Sequence, residues 1–333
     1  MPSTTGPRGA VIGLGMIGRH HARLLQTGGF ARFAGAVDPA GDQYGAVLDP
    51  DKVFPSVEAL LAATTPDFAV IAVPTAQHAA AAAELARAGV HVLVEKPLAG
   101  TVQEAEETIA AIRDAGVRGA VGHVERYNPA LLGVREHLHE IGQVFLISTE
   151  RVGPFPDRIR DVGVVMDLAT HDLDLVRWLG GEPVAQVAAQ TAVRMGREPH
   201  EDLVLITGRL RNDTTFNCVV DRVTPTKRRR TRILGERGML EADTLTGDLV
   251  LYKNASATVA DPFAQALRGV SEGDAIRFAL PRPEPLRTEL ETFVAYIQGD
   301  DDAGVVTLEE GLHTVQVAAA ALRSAQTGET VSP

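Results

Sequence analysis

The sequence predicts a two-domain α/β protein: a parallel, doubly wound sheet first, then an α+β domain with an open, mainly antiparallel sheet. Three observations predict it. A chain of 333 residues is longer than one core usually organises. Up to about Gly122, short apolar runs alternate with helical segments, the pattern of a parallel sheet with crossover helices. From Val184 to Tyr252, extended runs instead follow one another directly, separated by turn signals at Asn212-Asp213 and Thr246-Gly247-Asp248. The change of pattern sets the expected domains at 1–123 and 124–333.

In the first domain, Ala10-Val11-Ile12 reads as a strand running into a glycine-rich turn, and His20 to Gln26 as a helix ending at Gly28-Gly29. Phe33 to Val37 is the next strand, stopping at Asp38. Pro55 or Ser56 opens a helix through Leu60 and Leu61. Phe68 to Val73 is a strand, Ala76 to Ala88 an alanine-rich helix closed by Gly89, and His91 to Val94 another strand. Thr101 caps the following helix, with Glu104 three residues on as a capping box. Val117 to Val121 is the last strand of this domain. In the second domain, helix is expected from Asn128 to Ile141, strand from Val144 to Arg151, and an amphipathic helix from Val164 to Leu179. Pro281, Pro283 and Pro285 form a connector before helices at Thr288 to Gln298 and Thr307 to Thr327. Thr307 and Glu310 make a second capping box, and the C-terminal helix is expected to pack back on the first domain.

Composition narrows the class of protein. Hydrophobic residues at 45% and charged residues at 23% are ordinary for a globular chain in water. A net charge of −11 argues against a general nucleic-acid surface. The first residues lack the apolar core of a signal peptide, and no apolar run approaches bilayer length. A single cysteine, Cys218, excludes an intrachain disulfide and fits a reducing cytoplasm. Its neighbours Val219 and Val220 mark it as a buried strand residue rather than a reactive thiol.

The turn Gly13-Leu14-Gly15-Met16-Ile17-Gly18 follows a strand, opens a helix, and precedes the acid Asp38 by about the spacing of a dinucleotide fingerprint. Gly13 permits the tight turn, Gly15 lets the backbone approach a pyrophosphate, and Gly18 allows close helix–strand packing. The helix start supplies N–H groups and a favourable dipole for phosphate. Asp38 accepts from ribose hydroxyls and repels a 2′-phosphate. Pro39 after it supplies no cation to neutralise one, so NAD is expected over NADP.

Three strand exits should face the nicotinamide end, because ligands bind at the carboxyl ends of such strands. They are Val73-Pro74-Thr75-Ala76-Gln77-His78, Glu95-Lys96-Pro97, and Gly122-His123-Val124-Glu125-Arg126-Tyr127-Asn128. His78 reads equally as a cofactor contact or as a polar residue on an exposed helix turn. Lys96 is one of only four lysines, with Lys52, Lys227 and Lys253. Its compact, tunable ammonium suits work on a substrate. In the second domain Asp167 and His171 stand four apart, on one helix face, where the imidazole is the natural proton acceptor near neutral pH.

An Asp and a His at that spacing also suit a metal, but no further ligand cluster is evident. The His137-Leu138-His139 side chains diverge, and no metal is expected. The basic run Lys227-Arg228-Arg229-Arg230-Thr231-Arg232 is read as an exposed strand face or subunit contact rather than a nucleic-acid patch.

Together, Gly13 to Gly18, Glu95-Lys96-Pro97 and Asp167-x-x-x-His171 resemble the Gfo/Idh/MocA family of sugar oxidoreductases in order and spacing over nearly the whole chain. The resemblance implies an N-terminal NAD-binding Rossmann domain. It also implies a C-terminal domain that binds substrate and builds a homodimer or homotetramer through its open sheet. It implies that Lys96 hydrogen-bonds the reacting hydroxyl, that His171 is the general acid/base, and that Asp167 helps hold the substrate. It further implies a rigid, cis Lys96–Pro97 bond. A narrower resemblance lies in Val121 to Pro129 and Arg151 to Gly163. These stretches look like family members that oxidise C3 of a UDP-linked hexose such as UDP-N-acetylglucosamine or UDP-glucose. Many relatives carry asparagine where His123 stands.

The expected activity is therefore NAD-dependent oxidation of a secondary sugar hydroxyl to a 3-keto sugar. Cofactor contacts are expected from Gly13, Gly15, Met16, Ile17, Gly18, Asp38, Val73, Pro74, His78, Glu95, Lys96 and Pro97. Substrate contacts are expected from Lys96, His123, Arg126, Tyr127, Arg158, Arg160, Asp167 and His171. Arg158 and Arg160 suit a diphosphate, or are solvated loop residues. Two alternatives stay open: an inositol or free-sugar dehydrogenase, and a non-catalytic NAD- and sugar-binding regulator.

Overall fold

The computed structural model describes residues 6–155, 162–195, 200–255 and 272–333. The chain divides into two compact units: Met1–Val124 with Glu284–Gln316, and Glu125–Pro283 with Val317–Pro333. Residues 284–316 are thus grouped with the first unit, although the sequence pattern placed them in the second domain.

The first unit holds six parallel strands: β1 (Arg8–Ile12), β2 (Arg32–Val37), β3 (Val53–Phe54), β4 (Phe68–Ile71), β5 (His91–Glu95) and β6 (Gly119–Gly122). Their order is β3-β2-β1-β4-β5-β6. The order reverses between β1 and β4, the switch point at which doubly wound sheets bind ligands. The central strands are apolar on both faces because helices cover both. On one face Ile12, Ile71, Val92, Val94 and Val121 pack with residues of α2 (Val57–Ala63), α3 (His78–Arg87) and α4 (Val102–Asp114). On the other, Val11, Val70, Leu93 and Ala120 pack with Leu24 and Leu25 of α1 (Gly18–Thr27) and with Leu290 and Phe293 of Pro285–Ile297. Alternate residues of one strand thereby serve two cores, as the two-residue period of a strand requires.

The helix starts follow local chemistry. Ser56 caps α2 through the Ala59 N–H. Thr101 and Glu104 form the expected capping box on α4, a motif worth about 1 kcal/mol. Strand β3 is only two residues long and was not expected. Pro285 is the first residue of its helix rather than connector, a position where its missing N–H costs nothing.

The second unit is built on an eight-stranded sheet: β7 (Val144–Val152), β8 (Val184–Ala192), β9 (Leu203–Leu210), β10 (Thr215–Asp221), β11 (Arg228–Gly235), β12 (Gly238–Asp243), β13 (Asp248–Asn254) and β14 (Glu272–Arg277). The order is β14-β13-β12-β11-β7-β10-β9-β8, antiparallel except for the central β7–β10 pair. One sheet face packs on α5 (Pro129–His137) and α6 (Thr170–Gly180) through Leu131, Ile147, Leu173, Val176, Phe216 and Cys218. Cys218 is buried there on β10, as expected, and burial pushes its thiol up. The helix expected over 128–141 is α5 followed by a tighter 3₁₀ turn, Leu138–Ile141. The basic run lies on β11, where Arg228 and Arg230 pair with Glu150 and Asp243 of the neighbouring strands. Completing the helices in chain order, α7 is Pro285–Ile297 and α8 is Leu308–Thr327. The Thr307–Glu310 box opens α8. No helix among the described residues is long and apolar enough to cross a membrane.

Candidate active site

The glycine turn has the geometry that each glycine was expected to serve. Gly13 has φ +95°, a left-handed conformation, and an added Cβ would stand 2.7 Å from the Ala72 carbonyl. At Gly18 an added Cβ would lie 1.9 Å from the Gly13 carbonyl oxygen, so the first turn of α1 is pressed onto the loop. At Gly15 nothing lies within 4 Å, leaving that side of the backbone open. No side chain caps α1 and no acid stands in its first turn, so its leading N–H groups suit an anion. Met16 and Ile17 are exposed beside it. This constellation fits a dinucleotide pyrophosphate.

Asp38 follows β2 and is held by the loop it serves. Its Oδ2 accepts from Leu14 N at 2.9 Å and its Oδ1 from Ala40 N at 2.9 Å. The carboxylate is therefore fixed beside the glycine turn.

At the β4 exit, Val73 and Pro74 lead into His78, which corrects the expectation of an exposed helix turn. His78 is 1% exposed, and its two ring nitrogens face carbonyls: Nδ1 that of Pro97 and Nε2 that of Val73, each at 3.0 Å. It ties two strand exits together instead of standing in solvent. Burial pushes its pKa down against the pull of those carbonyls. Sequence could not show this, because the partners are backbone carbonyls and one of them, that of Pro97, lies on another loop.

The β5 exit carries Glu95, Lys96 and Pro97, with a cis Lys96–Pro97 bond. Lys96 is half-buried while Glu95 is buried. Glu95 Oε1 accepts from His21 Nε2 at 2.7 Å, and Oε2 accepts from Lys96 N at 3.3 Å. At the β6 exit His123 is buried, 1% exposed.

In the second unit, Tyr127 is buried, and Arg126 donates to both oxygens of Asp174 at 2.8 and 2.6 Å. The Arg126 side chain is 5% exposed and meets the Asp174 carboxylate at two points. Beside it Arg151 bridges Asp172 at 2.7 Å and Glu125 at 2.9 Å. Burial would raise the Glu125 carboxyl, yet the adjoining Arg151 charge holds it below the usual range.

Asp167 and His171 lie where α6 begins, but the segment before it is a π-helical turn, Val165–Ala169. Such wide turns recur at functional sites. Glu201 starts this turn: its carboxylate accepts from Val165 N at 3.0 Å, and its backbone carbonyl accepts from Val164 N at 3.0 Å. Asp167 Oδ2 is paired with Arg222, which also donates to the Val162 carbonyl at 3.0 Å. Arg222 was missed from the sequence, since it follows β10, fifty-five positions from Asp167. Also missed was a second buried carboxyl, Glu289 of α7, grouped with His21 and Glu95. Arg158 and Arg160 lie outside the described residues.

Comparison with known proteins adds to this geometry. The profile of an oxidoreductase family, GFO_IDH_MocA, NAD-binding Rossmann fold, matches residues 8–123. The same family's C-terminal alpha/beta domain matches residues 137–332. UDP-N-acetylglucosamine 3-dehydrogenase of Acidithiobacillus ferrooxidans is 32% identical over 290 residues, 86% of this chain and 87% of the relative. A crystal structure of that enzyme, GnnA, superposes with a TM-score of 0.83 at 28% identity, covering 96% of this chain and 98% of the other. Myo-inositol dehydrogenase Hyg17 of Streptomyces leeuwenhoekii is 30% identical over 331 residues, 96% of this chain and 97% of the relative.

Proposed function

This chain belongs to the Gfo/Idh/MocA family of oxidoreductases, and from that membership we propose that it is an NAD-dependent dehydrogenase oxidising C3 of a UDP-linked hexose to a 3-keto sugar. Membership makes it an oxidoreductase with an NAD(P)-binding Rossmann domain, of a family that acts on sugar CH–OH groups. The observation that carries the finer reading is the likeness, along most of the chain, to UDP-N-acetylglucosamine 3-dehydrogenase.

NAD supplies the acceptor for the hydride that leaves the carbinol carbon. The open side of Gly15 and the N–H groups opening α1 receive its pyrophosphate, with Gly13, Gly18, Met16 and Ile17 shaping the turn. Asp38, fixed by Leu14 N and Ala40 N, takes the ribose hydroxyls and disfavours a 2′-phosphate, which favours NAD over NADP. Val73, Pro74, Glu95 and Pro97 border the nicotinamide end, and His78 shapes it by holding the Val73 and Pro97 carbonyls.

Lys96 donates to the reacting hydroxyl and stabilises the charge that grows on its oxygen. His171 removes the hydroxyl proton. Asp167, steadied by Arg222, binds a neighbouring sugar hydroxyl. His123, Tyr127, Arg158 and Arg160 complete the substrate contacts, whereas Arg126 acts through Asp174. The open face of the eight-stranded sheet, where Leu205 and Leu234 are exposed, supports a homodimer or homotetramer. A lone buried Cys218 supports a cytoplasmic setting.

The test is cofactor reduction by the purified protein with UDP-N-acetylglucosamine, UDP-glucose and myo-inositol, each with NAD and with NADP. Turnover of a UDP-hexose with NAD, and release of a 3-keto sugar, is the expected result. Turnover of inositol with none of any nucleotide sugar would move the chain to the inositol dehydrogenases.

A further inference from the structure

Beside the turn that carries Lys96, two side chains without an assigned task, His21 and Glu289, gather on Glu95. Glu95, at the end of β5, uses both carboxylate oxygens: one accepts from His21 of α1 at 2.7 Å, the other from the Lys96 backbone N–H at 3.3 Å. Strand β6 closes in on it, since a Cβ at Gly122 would stand 3.2 Å from Glu95 Cδ. From α7, Glu289 brings a second carboxyl to the same place, so that one ligand atom from each of His21, Glu95 and Glu289 lies within 4.8 Å of the others. The three residues are 0%, 7% and 1% exposed.

Neither oxygen of Glu289 has a hydrogen-bond partner, and neither has His21 Nδ1. An ionised Glu289 would place a second negative charge next to Glu95 with no donor to solvate it, in a setting where water cannot help. Burial first, and the Glu95 charge second, push the Glu289 carboxyl well above its usual range. A proton on Glu289 removes the second negative charge from this group and leaves Glu95 as its one carboxylate. The donor set resembles a metal site. Yet the His21–Glu95 contact has hydrogen-bond length, and the second Glu95 oxygen is already taken by Lys96 N.

We propose that Glu289 is a neutral carboxylic acid and that, with His21, it is a positioning residue: the two fix Glu95 and thereby the turn that presents Lys96. The positioning role rests on the reading of Lys96 given above; the protonation state does not. The charged and titratable groups gathered here are His21 from α1, Glu95 and Lys96 from the β5 exit, and Glu289 from α7.

The experiment compares the wild type with Glu289→Gln and Glu289→Leu, all NAD-loaded. Melting is followed first, without substrate, from about pH 5 to about pH 9. The folded state keeps a proton that the unfolded chain releases above the ordinary glutamate value of 4.5. The contribution of Glu289 to wild-type stability is therefore fully present below that value and is lost as pH rises through the raised one, while Glu289→Gln lacks this loss. Parallel melting curves overturn the proposal. So does a stoichiometric metal whose removal by a chelator brings the wild-type curve onto that of Glu289→Gln. With substrate, Glu289→Leu lowers kcat about tenfold with KM for NAD nearly unchanged, and Glu289→Gln restores most of it. Equal kcat in all three overturns the positioning role. If the pH result holds but the wild type oxidises no sugar, the reaction assigned above is wrong and the buried acid stands.

Discussion

The carboxylate of Asp167 is paired with the buried guanidinium of Arg222, and Arg222 also holds the Val162 carbonyl. The arginine side chain is 4% exposed and the aspartate 20%. Arg222 thus fixes both ends of the short stretch that leads into the π-helical turn and α6. Arg222→Leu removes the guanidinium from Asp167 and from the Val162 carbonyl, and is expected to destabilise by about 3 kcal/mol, of the order seen when one member of a buried pair is removed. Loss of the Asp167 geometry also raises KM for the sugar more than KM for NAD. Denaturant unfolding with steady-state kinetics checks both; a variant with wild-type KM for the sugar would remove Asp167 from substrate binding.

Gly15 and Gly18 separate binding from folding. Gly15→Ala adds a methyl where nothing lies within 4 Å, so melting stays close to wild type while NAD binding weakens about tenfold or more. Gly18→Ala drives a Cβ toward the Gly13 carbonyl and is expected to lower stability and binding together. Calorimetric NAD titrations beside thermal melts distinguish the two. If both variants behave alike, Gly15 is not the face that the pyrophosphate approaches.

Lys96→Ala and His171→Ala are expected to lower kcat by about a hundredfold or more, with NAD affinity nearly unchanged. Single-turnover kinetics and cofactor titration provide the readout. Wild-type kcat in either variant would strip that residue of its catalytic role.

Asp38 is the residue proposed to select the cofactor. Asp38→Ser removes the charge that disfavours a 2′-phosphate, and kcat/KM for NADP is expected to rise relative to NAD by about tenfold. An unchanged ratio would show that another residue selects the cofactor.

Glu125 gives an acid-side prediction. Arg151 holds its carboxyl below the ordinary value of 4.5, so the stability it contributes is present above that value and lost as pH falls through the lowered one. Wild type is expected to lose stability on acidification more steeply than Glu125→Gln in that window. Urea midpoints at neutral pH and below the ordinary value test this, and equal slopes would contradict it.

By itself the sequence determined the elements and the chemistry of single residues. Local rules sufficed for the glycine turn, for the Thr101–Glu104 and Thr307–Glu310 boxes, and for the alternation that builds the parallel sheet. Each depends on residues a few positions apart, where spacing is geometry. Strand β14 escaped because its residues are all exposed and carry no burial period, and β3 because two residues show no pattern. Tertiary structure alone decided which polar groups meet. Two carbonyls close on His78 and take it out of solvent, and Asp174 meets the guanidinium of Arg126 from forty-eight positions away. Arg222 found Asp167, and Glu289 joined His21 and Glu95, across loops and whole elements. A buried charge or polar atom must find a partner or give up its charge. Where that partner lies far along the chain, only the folded packing names it.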